Sequence, residues 1–264
     1  MAFEALKEKQ SVVWGSGPYE RISEHLAIAH EHLLRTVAAG PGDRWLDVAT
    51  GTGEIAVPAA GRGAAVTAQD LAPNLIEAAR DRAAGAGVEV TFEVGDAESL
   101  PYPDASFDVV SSAFGVMFCP DQRAAAAELA RVTRPGGTLA LLNWHPARGV
   151  AEFFKVMAPY MPSPPEGAGS PFAWGDRDRL GELLGDAFEL RFEDGDCPQP
   201  GGSAEEIWEL FMSSYGPTKA LADSLDDERR EALRSDWVAY FERFANGGGV
   251  SQPRPYVLVV GRRR

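Results

Sequence analysis

Three aspartates and one glycine turn carry the chemistry of this sequence. Asp47 stands within the apolar run "RWLDVA", two residues ahead of the turn Ala49-Thr50-Gly51-Thr52-Gly53. Asp70 ends the next apolar run, 19 residues beyond Gly51, and Asp96 stands in "GDA" after a third run. A strand–turn–helix of this kind is expected to present bare backbone N–H groups to a polar or anionic ligand. A phosphate-binding P-loop needs Lys and Ser/Thr after its last glycine, and Glu54 and Ile55 stand there instead. The segment from Gly51 to Ala56 does satisfy the dinucleotide pattern G-x-G-x-x-A, with Asp70 near the ribose-binding spacing. Against it, a carboxylate ahead of the turn repels a pyrophosphate and attracts an ammonium group. Two further carboxylates match a pair of hydroxyls and an amino donor.

Other reactive side chains are fewer. His145 follows "ALLNW" at the end of a fifth strand, on the edge where open α/β sheets bind ligands. It is a candidate general base for an acceptor that must lose a proton. His25, His30 and His32 are spaced 5 and 2 apart, which does not align them on one helical face, so a partly exposed helix is expected and no metal site. "YGPTK" (Tyr215 to Lys219) has the Tyr-x-x-x-Lys spacing of short-chain dehydrogenases, but Pro217 interrupts the helix that would align the pair.

Composition bounds the rest. A net charge of −14 speaks against a nucleic-acid partner, and the terminal "RRR" reads as a solvated tail. Two cysteines, Cys119 and Cys197, suit a reducing compartment. No apolar run approaches the roughly 20 residues of a membrane helix, and the start has no signal-peptide pattern. A cytoplasmic globular protein with no membrane partner is expected.

Strands and helices alternate from residue 44 onward, which predicts a mostly parallel sheet covered on both faces. The sixth strand, "AFELRFED", alternates apolar with charged residues like an edge, whereas the last, "PYVLVVG", is continuously apolar like an interior strand. The last strand therefore inserts between the fifth and sixth, giving the order 3-2-1-4-5-7-6. The fold class is α/β, a Rossmann-like seven-stranded mostly parallel sheet with an antiparallel last strand and a helical cover. A single domain over 1–264 is expected, with an N-terminal helical cap segment at 1–40. A helical insertion at 195–252 would cover the acceptor.

"LDVATGTGE" resembles the first motif of class I S-adenosylmethionine-dependent methyltransferases. The resemblance runs over roughly 43–143 and closes with "RPGGTLAL". It is nearest to the small-molecule branch of ubiquinone/menaquinone-biosynthesis type, which is methyltransferase type 11-like. It implies S-adenosylmethionine as cofactor, S-adenosylhomocysteine as product and a small-molecule acceptor with an O, N or C nucleophile. Asp47 would position the methionine ammonium, with Ala49, Thr50, Gly51 and Gly53 passing beneath the cofactor. Asp70 and Leu71 would hold the ribose, Asp96 and Ala97 the adenine, and Ser112 and Ala113 the methionine part. Tyr19 would lie near the methionine carboxylate, while Trp14, Phe114, Met117 and His145 would line the acceptor pocket. Ala49 stands where the family has a glycine, so an ordinary backbone angle is expected there. Two rivals share the scaffold: a non-methylating enzyme, and a binding protein that holds the cofactor without turnover. An NAD-dependent oxidoreductase ranks below both.

Overall fold

The computed structural model describes residues 3–37 and 39–264. Its helices are α1 (Glu4–Trp14), α2 (Glu20–Ser23), α3 (Ala27–Thr36), α4 (Ala56–Gly61), α5 (Pro73–Ala86), α6 (Gln122–Val132), α7 (Val150–Met157), α8 (Arg177–Leu184), α9 (Ala204–Ser214), α10 (Gly216–Asp223) and α11 (Asp227–Glu242). The strands are β1 (Arg44–Val48), β2 (Ala65–Asp70), β3 (Thr91–Val94), β4 (Phe107–Ala113), β5 (Thr133–Trp144), β6 (Phe188–Asp196), β7 (Gln199–Gly201), β8 (Ala245–Asn246), β9 (Gly249–Gln252) and β10 (Pro255–Arg263).

Seven strands form one sheet in the order β3-β2-β1-β4-β5-β10-β6. The first five run parallel, and β10 is antiparallel to both of its neighbours. The burial contrast that predicts this order is physical. Residues Tyr256 to Gly261 of β10 are all buried, because strands flank it and helices cover it. At the edge, β6 buries only Phe188 fully. The Pro/Gly-rich segment 197–203 and the glycines at 247–249 contribute to a second, three-stranded sheet, β7-β9-β8. Of the terminal arginines, Arg262 and Arg264 are exposed as expected, whereas the Arg263 side chain is engaged. Arg262 and Arg263 belong to β10, and Arg263 donates to the carbonyls of Ala130 at 2.9 Å and Ala187 at 3.0 Å.

Two separate hydrophobic cores result. The larger surrounds the main sheet and includes Trp45, Leu46, Leu141 and Leu258. The smaller is aromatic and joins Ile22 of α2 to α7, α9 and α11 through Phe153, Trp208, Trp237 and Phe241. The Trp237 ring meets Phe153 edge-on at 4.1 Å. Helix α9 starts where Ser203 accepts from the Glu206 amide at 3.1 Å, while the Glu206 carboxylate takes the Gly202 amide at 3.0 Å. This reciprocal cap satisfies amides that have no partner inside the helix. Pro217 opens α10, so Tyr215 and Lys219 do not share a helix face. Lys219 pairs with Asp223, and Tyr215 packs against Phe211 at 5.4 Å.

Candidate functional site

The carboxyl ends of β1, β2 and β4 open into a cavity of about 920 Å³ including its mouth. Asp47 forms its floor and is 1 % exposed. Its oxygens accept from Thr50 Oγ1 and Ser111 Oγ, each at 2.6 Å, and Ser111 Oγ accepts in turn from Trp45 Nε1 at 2.7 Å. Among the described residues no lysine or arginine pairs with it. Burial therefore pushes the Asp47 carboxyl up to about 7, against the pull of the two hydroxyls. In an unfolded chain the group titrates near 3.8. Between those values the folded chain binds more protons, so its stability falls as pH rises through the window. A ligand ammonium favours the ionised form, so Asp47 by itself contributes a rise in affinity of up to about tenfold per pH unit below 7 that flattens above. Asp47→Asn is expected to remove this contribution from both slopes. Calorimetric titration with S-adenosylhomocysteine and thermal denaturation between pH 5 and 8 measure them.

Three amides of the turn, those of Thr50, Gly51 and Gly53, are not bare as the sequence expectation had them. Thr50 N donates to the Gln69 carbonyl at 2.9 Å, Gly51 N to Asp70 Oδ2 at 2.9 Å and Gly53 N to the Thr50 carbonyl at 3.0 Å. Asp70 Oδ1 meanwhile accepts from the Ala72 amide at 2.9 Å. Burial raises the Asp70 carboxyl above its ordinary range although these amides pull it down. Five carboxylates line the cavity (Asp47, Glu54, Asp70, Asp96 and Glu98) against one lysine, Lys7. A pyrophosphate meets three turn amides that are already engaged and a lining with no net positive charge. A sulfonium and an ammonium meet the carboxylates they need, and that is the fit of this site to S-adenosylmethionine.

Ala49 corrects a second expectation. Its φ is 53°, in the left-handed region. Tertiary bonds override its local preference: Thr50 is pinned by Asp47 and Gln69, and Gly115 leaves room for the Ala49 methyl. A Cβ on Gly115 would stand 2.5 Å from that methyl and 2.8 Å from the Ala49 carbonyl. The left-handed conformation costs a non-glycine residue roughly 1–2 kcal/mol. Ala49→Gly is therefore expected to leave stability unchanged or raise it by up to about 1 kcal/mol. Urea unfolding checks this, because an ordinary Ala→Gly change would lower it instead.

Helix α1 closes one end of the cavity, and the part Lys7 plays there was not legible in the sequence. Lys7 is buried and pairs with Asp96 at 2.7 Å and with Glu98. Burial opposes its charge, yet the two carboxylates outweigh it and hold the ammonium above its ordinary range. Gln10 donates to the Phe118 carbonyl at 3.1 Å and Ser11 to the Leu71 carbonyl at 2.9 Å. Trp14 packs edge-on against Phe118 at 4.9 Å and Tyr215 at 5.5 Å. At the other end, Glu54 accepts from Ser23 at 2.5 Å and from Arg82 at 2.9 Å. Tyr19 lies over the turn, its ring 3.9 Å from where a Gly51 Cβ would be.

Of the sequence candidates, Trp14, Tyr19, Asp47, Ala49, Thr50, Gly51, Asp70, Leu71, Asp96, Ala97, Ala113 and Phe114 line this cavity. Phe114, at φ 55°, stacks on Trp144 at 4.0 Å. Four candidates do not line it. Gly53 packs toward α5, where a Cβ would come within 3.4 Å of Ala79. Ser112 Oγ accepts from the Val116 amide at 3.1 Å. Met117 is wholly buried in the main core. His145 turns to its own loop, accepting from the Ala147 amide at 3.1 Å, with Arg148 Nε 3.3 Å from Nε2. Burial first, then Arg148, lowers its basicity, so it is not positioned as a base for this cavity. His30, read as part of a partly exposed helix, is buried and faces the cavity 6.4 Å from the Phe114 ring. Among the described residues no three His, Cys, Asp or Glu side chains cluster to hold a metal ion. No described helix is long and apolar enough to cross a membrane.

Residues 46–141 match a family model described as a methyltransferase domain. The uncharacterized protein Rv1403c of Mycobacterium tuberculosis is 39% identical over 235 residues, covering 84% of this chain and 86% of its own. The demethylmenaquinone methyltransferase of Deinococcus radiodurans is 45% identical over 135 residues, 48% of this chain and 56% of its own length. Among solved structures, geranyl diphosphate methyltransferase in complex with S-adenosylmethionine superposes with a TM-score of 0.55 at 20% identity. That likeness covers 90% of this chain and 85% of the other and concerns the fold.

Proposed function

Because this chain belongs to the class I methyltransferases, whose cofactor is S-adenosylmethionine, we propose that it transfers a methyl group to a small, partly apolar acceptor. The observation that carries this reading is the cavity itself, rich in carboxylates on its floor and walled by Trp14, Tyr19, Phe114 and Phe118. The cofactor supplies an electrophilic methyl on a sulfonium. In this reading the residues of the chain do three things. Asp47 and Asp70 anchor ammonium and ribose hydroxyls, which fixes the direction the methyl faces. Asp96, held by Lys7, completes the nucleoside end. The aromatic walls and α1 exclude water, and for an in-line displacement alignment and desolvation supply much of the acceleration. The closed wall favours a small acceptor with apolar surface over a macromolecule.

The test is direct. The protein is incubated with S-adenosylmethionine and a panel of phenols, amines and stabilised carbon acids, and products are weighed by mass spectrometry. The expected result is a product heavier by one methylene unit with stoichiometric S-adenosylhomocysteine. Cofactor binding without methylated product across the panel, or a product of unchanged mass, would overturn methyl transfer to this acceptor class.

A further inference from the structure

We propose that His30 takes up a proton when the cofactor binds and, as an imidazolium, holds the carboxylate of the methionine arm. The inference rests on the cofactor assignment above and concerns a residue that assignment does not use. The methionine arm carries an ammonium and a carboxylate on one carbon. A site that places the ammonium at Asp47 must therefore offer a donor to the carboxylate close by.

The donors in that part of the cavity are few. Thr50 Oγ1 donates to Asp47 and Ser23 Oγ to Glu54, so both hydroxyl hydrogens are engaged. The single lining lysine, Lys7, is bound to Asp96 and Glu98 at the opposite end. Arg82 bonds Glu54 but does not line the cavity. Four side chains remain, the Tyr19 hydroxyl, the Trp14 indole, the Gln69 amide and the His30 ring; all line the cavity, and among the described residues none of them donates a hydrogen bond within the protein. A carboxylate set down beside Asp47 and Glu54 meets two like charges, which a neutral donor does not offset. His30 is the group there that can become a cation.

Its surroundings suit a conditional charge. Glu54 after β1 lines the cavity together with His30, Asp47 and Tyr19. Arg82 on α5 opposes the charge on His30, and the Phe114 ring lies against it after β4. Asp70 of β2 lines the same cavity, while Glu193 of β6 faces His32 instead. In the free protein burial holds His30 down to about 4, with Glu54 pulling it up and Arg82 down, so the ring is neutral at pH 7. The free protein thus avoids an unpaired buried cation. An adjacent carboxylate raises the protonation constant of such a group by about 10- to 1000-fold, enough at the upper end to protonate it near neutrality.

Nitrogen-15 spectra of the imidazoles at pH 6.5 test this on the intact protein. S-adenosylhomocysteine is the probe because it keeps the methionine arm without the sulfonium charge. His30→Gln assigns the His30 signals against those of His25, His32 and His145. The expected result is a His30 ring neutral in the free protein and imidazolium at saturation, but still neutral with decarboxylated S-adenosylmethionine, which keeps the ammonium. Calorimetry in two buffers of different ionisation heat reads the net proton change, in which uptake by His30 is offset by the proton that Asp47 releases to meet the ammonium; His30→Gln should therefore shift the balance towards proton release by up to about one proton per site, with affinity reduced about tenfold. A His30 ring that stays neutral at saturation, or protonates equally with the decarboxylated compound, overturns the inference while the cofactor assignment stands. Absence of any S-adenosylhomocysteine binding to the unaltered protein overturns both.

Discussion

Asp70→Asn is expected to weaken S-adenosylhomocysteine binding by about 100-fold and to lower stability by about 1–3 kcal/mol. The two effects have separate causes. In the protein, each Asp70 oxygen accepts a backbone amide, from Gly51 and Ala72, and so ties the turn after β1 to the segment entering α5. An asparagine offers one acceptor oxygen. Its NH2 group would face an amide that then has no acceptor, and an unpaired buried amide costs about 1–3 kcal/mol. For the ligand, the loss is of two hydroxyl-to-carboxylate bonds. Each is worth about 1.5 kcal/mol or more, and about 3 kcal/mol corresponds to about 100-fold in affinity. Calorimetry measures the first effect and urea unfolding the second. An unchanged affinity in a folded Asp70→Asn protein would remove Asp70 from the ligand's contacts.

Arg254→Met is expected to cost about 3–5 kcal/mol of stability, the largest loss anticipated for a residue outside the cavity. Arg254 is 4 % exposed and no carboxylate pairs with it. Its guanidinium donates to the carbonyls of Cys197 at 2.8 Å and His25 at 2.7 Å, and to Gln199 Oε1 at 2.8 Å. It lies 5.8 Å over the Trp144 ring, and Trp144 stacks on the cavity residue Phe114. Burial lowers its basicity, and nearby groups including Asp196 offset it only in part. Two buried acceptors and the half-buried His25 carbonyl lose their donor together in the methionine variant, at about 1–3 kcal/mol each before relaxation. Because His25 leads into α3, the loosened contact also reaches the segment that carries His30. A urea midpoint unchanged from the parent protein would show that water or repacking replaces the guanidinium.

The order of the main sheet was legible because burial leaves a mark on composition. The alternation of Phe188, Leu190 and Phe192 against Glu189, Arg191 and Glu193 belongs to an edge, and the run from Tyr256 to Val260 to an interior strand. The three aspartates were legible for a related reason: each ends or follows a strand whose apolar run fixes its position. What escaped depended on contacts between distant segments. Lys7 meets Asp96 across 89 residues, and nothing near either residue announces the partner. His30 sits on a short helix in which spacing alone does not say which face looks into a cavity. Ala49 takes a backbone angle its side chain disfavours because its neighbours hold it there. Strands β7 and β9 read as loops because Pro and Gly usually end strands, whereas here they lie in a small sheet on the cover.

The presence of two cores has a thermodynamic consequence. Ile22 belongs to the aromatic core beside α9 and α11, and Tyr19 packs against the same group, whereas Phe114 and Val48 belong to the sheet core. The ligand cavity lies along the seam between them, with Tyr19 on one side and Phe114 on the other. Each core is a candidate cooperative unit, and the interface between them is what a bound cofactor would reinforce. The ligand-free protein is therefore expected to melt in two calorimetric transitions, the aromatic cover first. Saturation with S-adenosylhomocysteine should draw them into one, so that the count of melting steps becomes a reading of site occupancy.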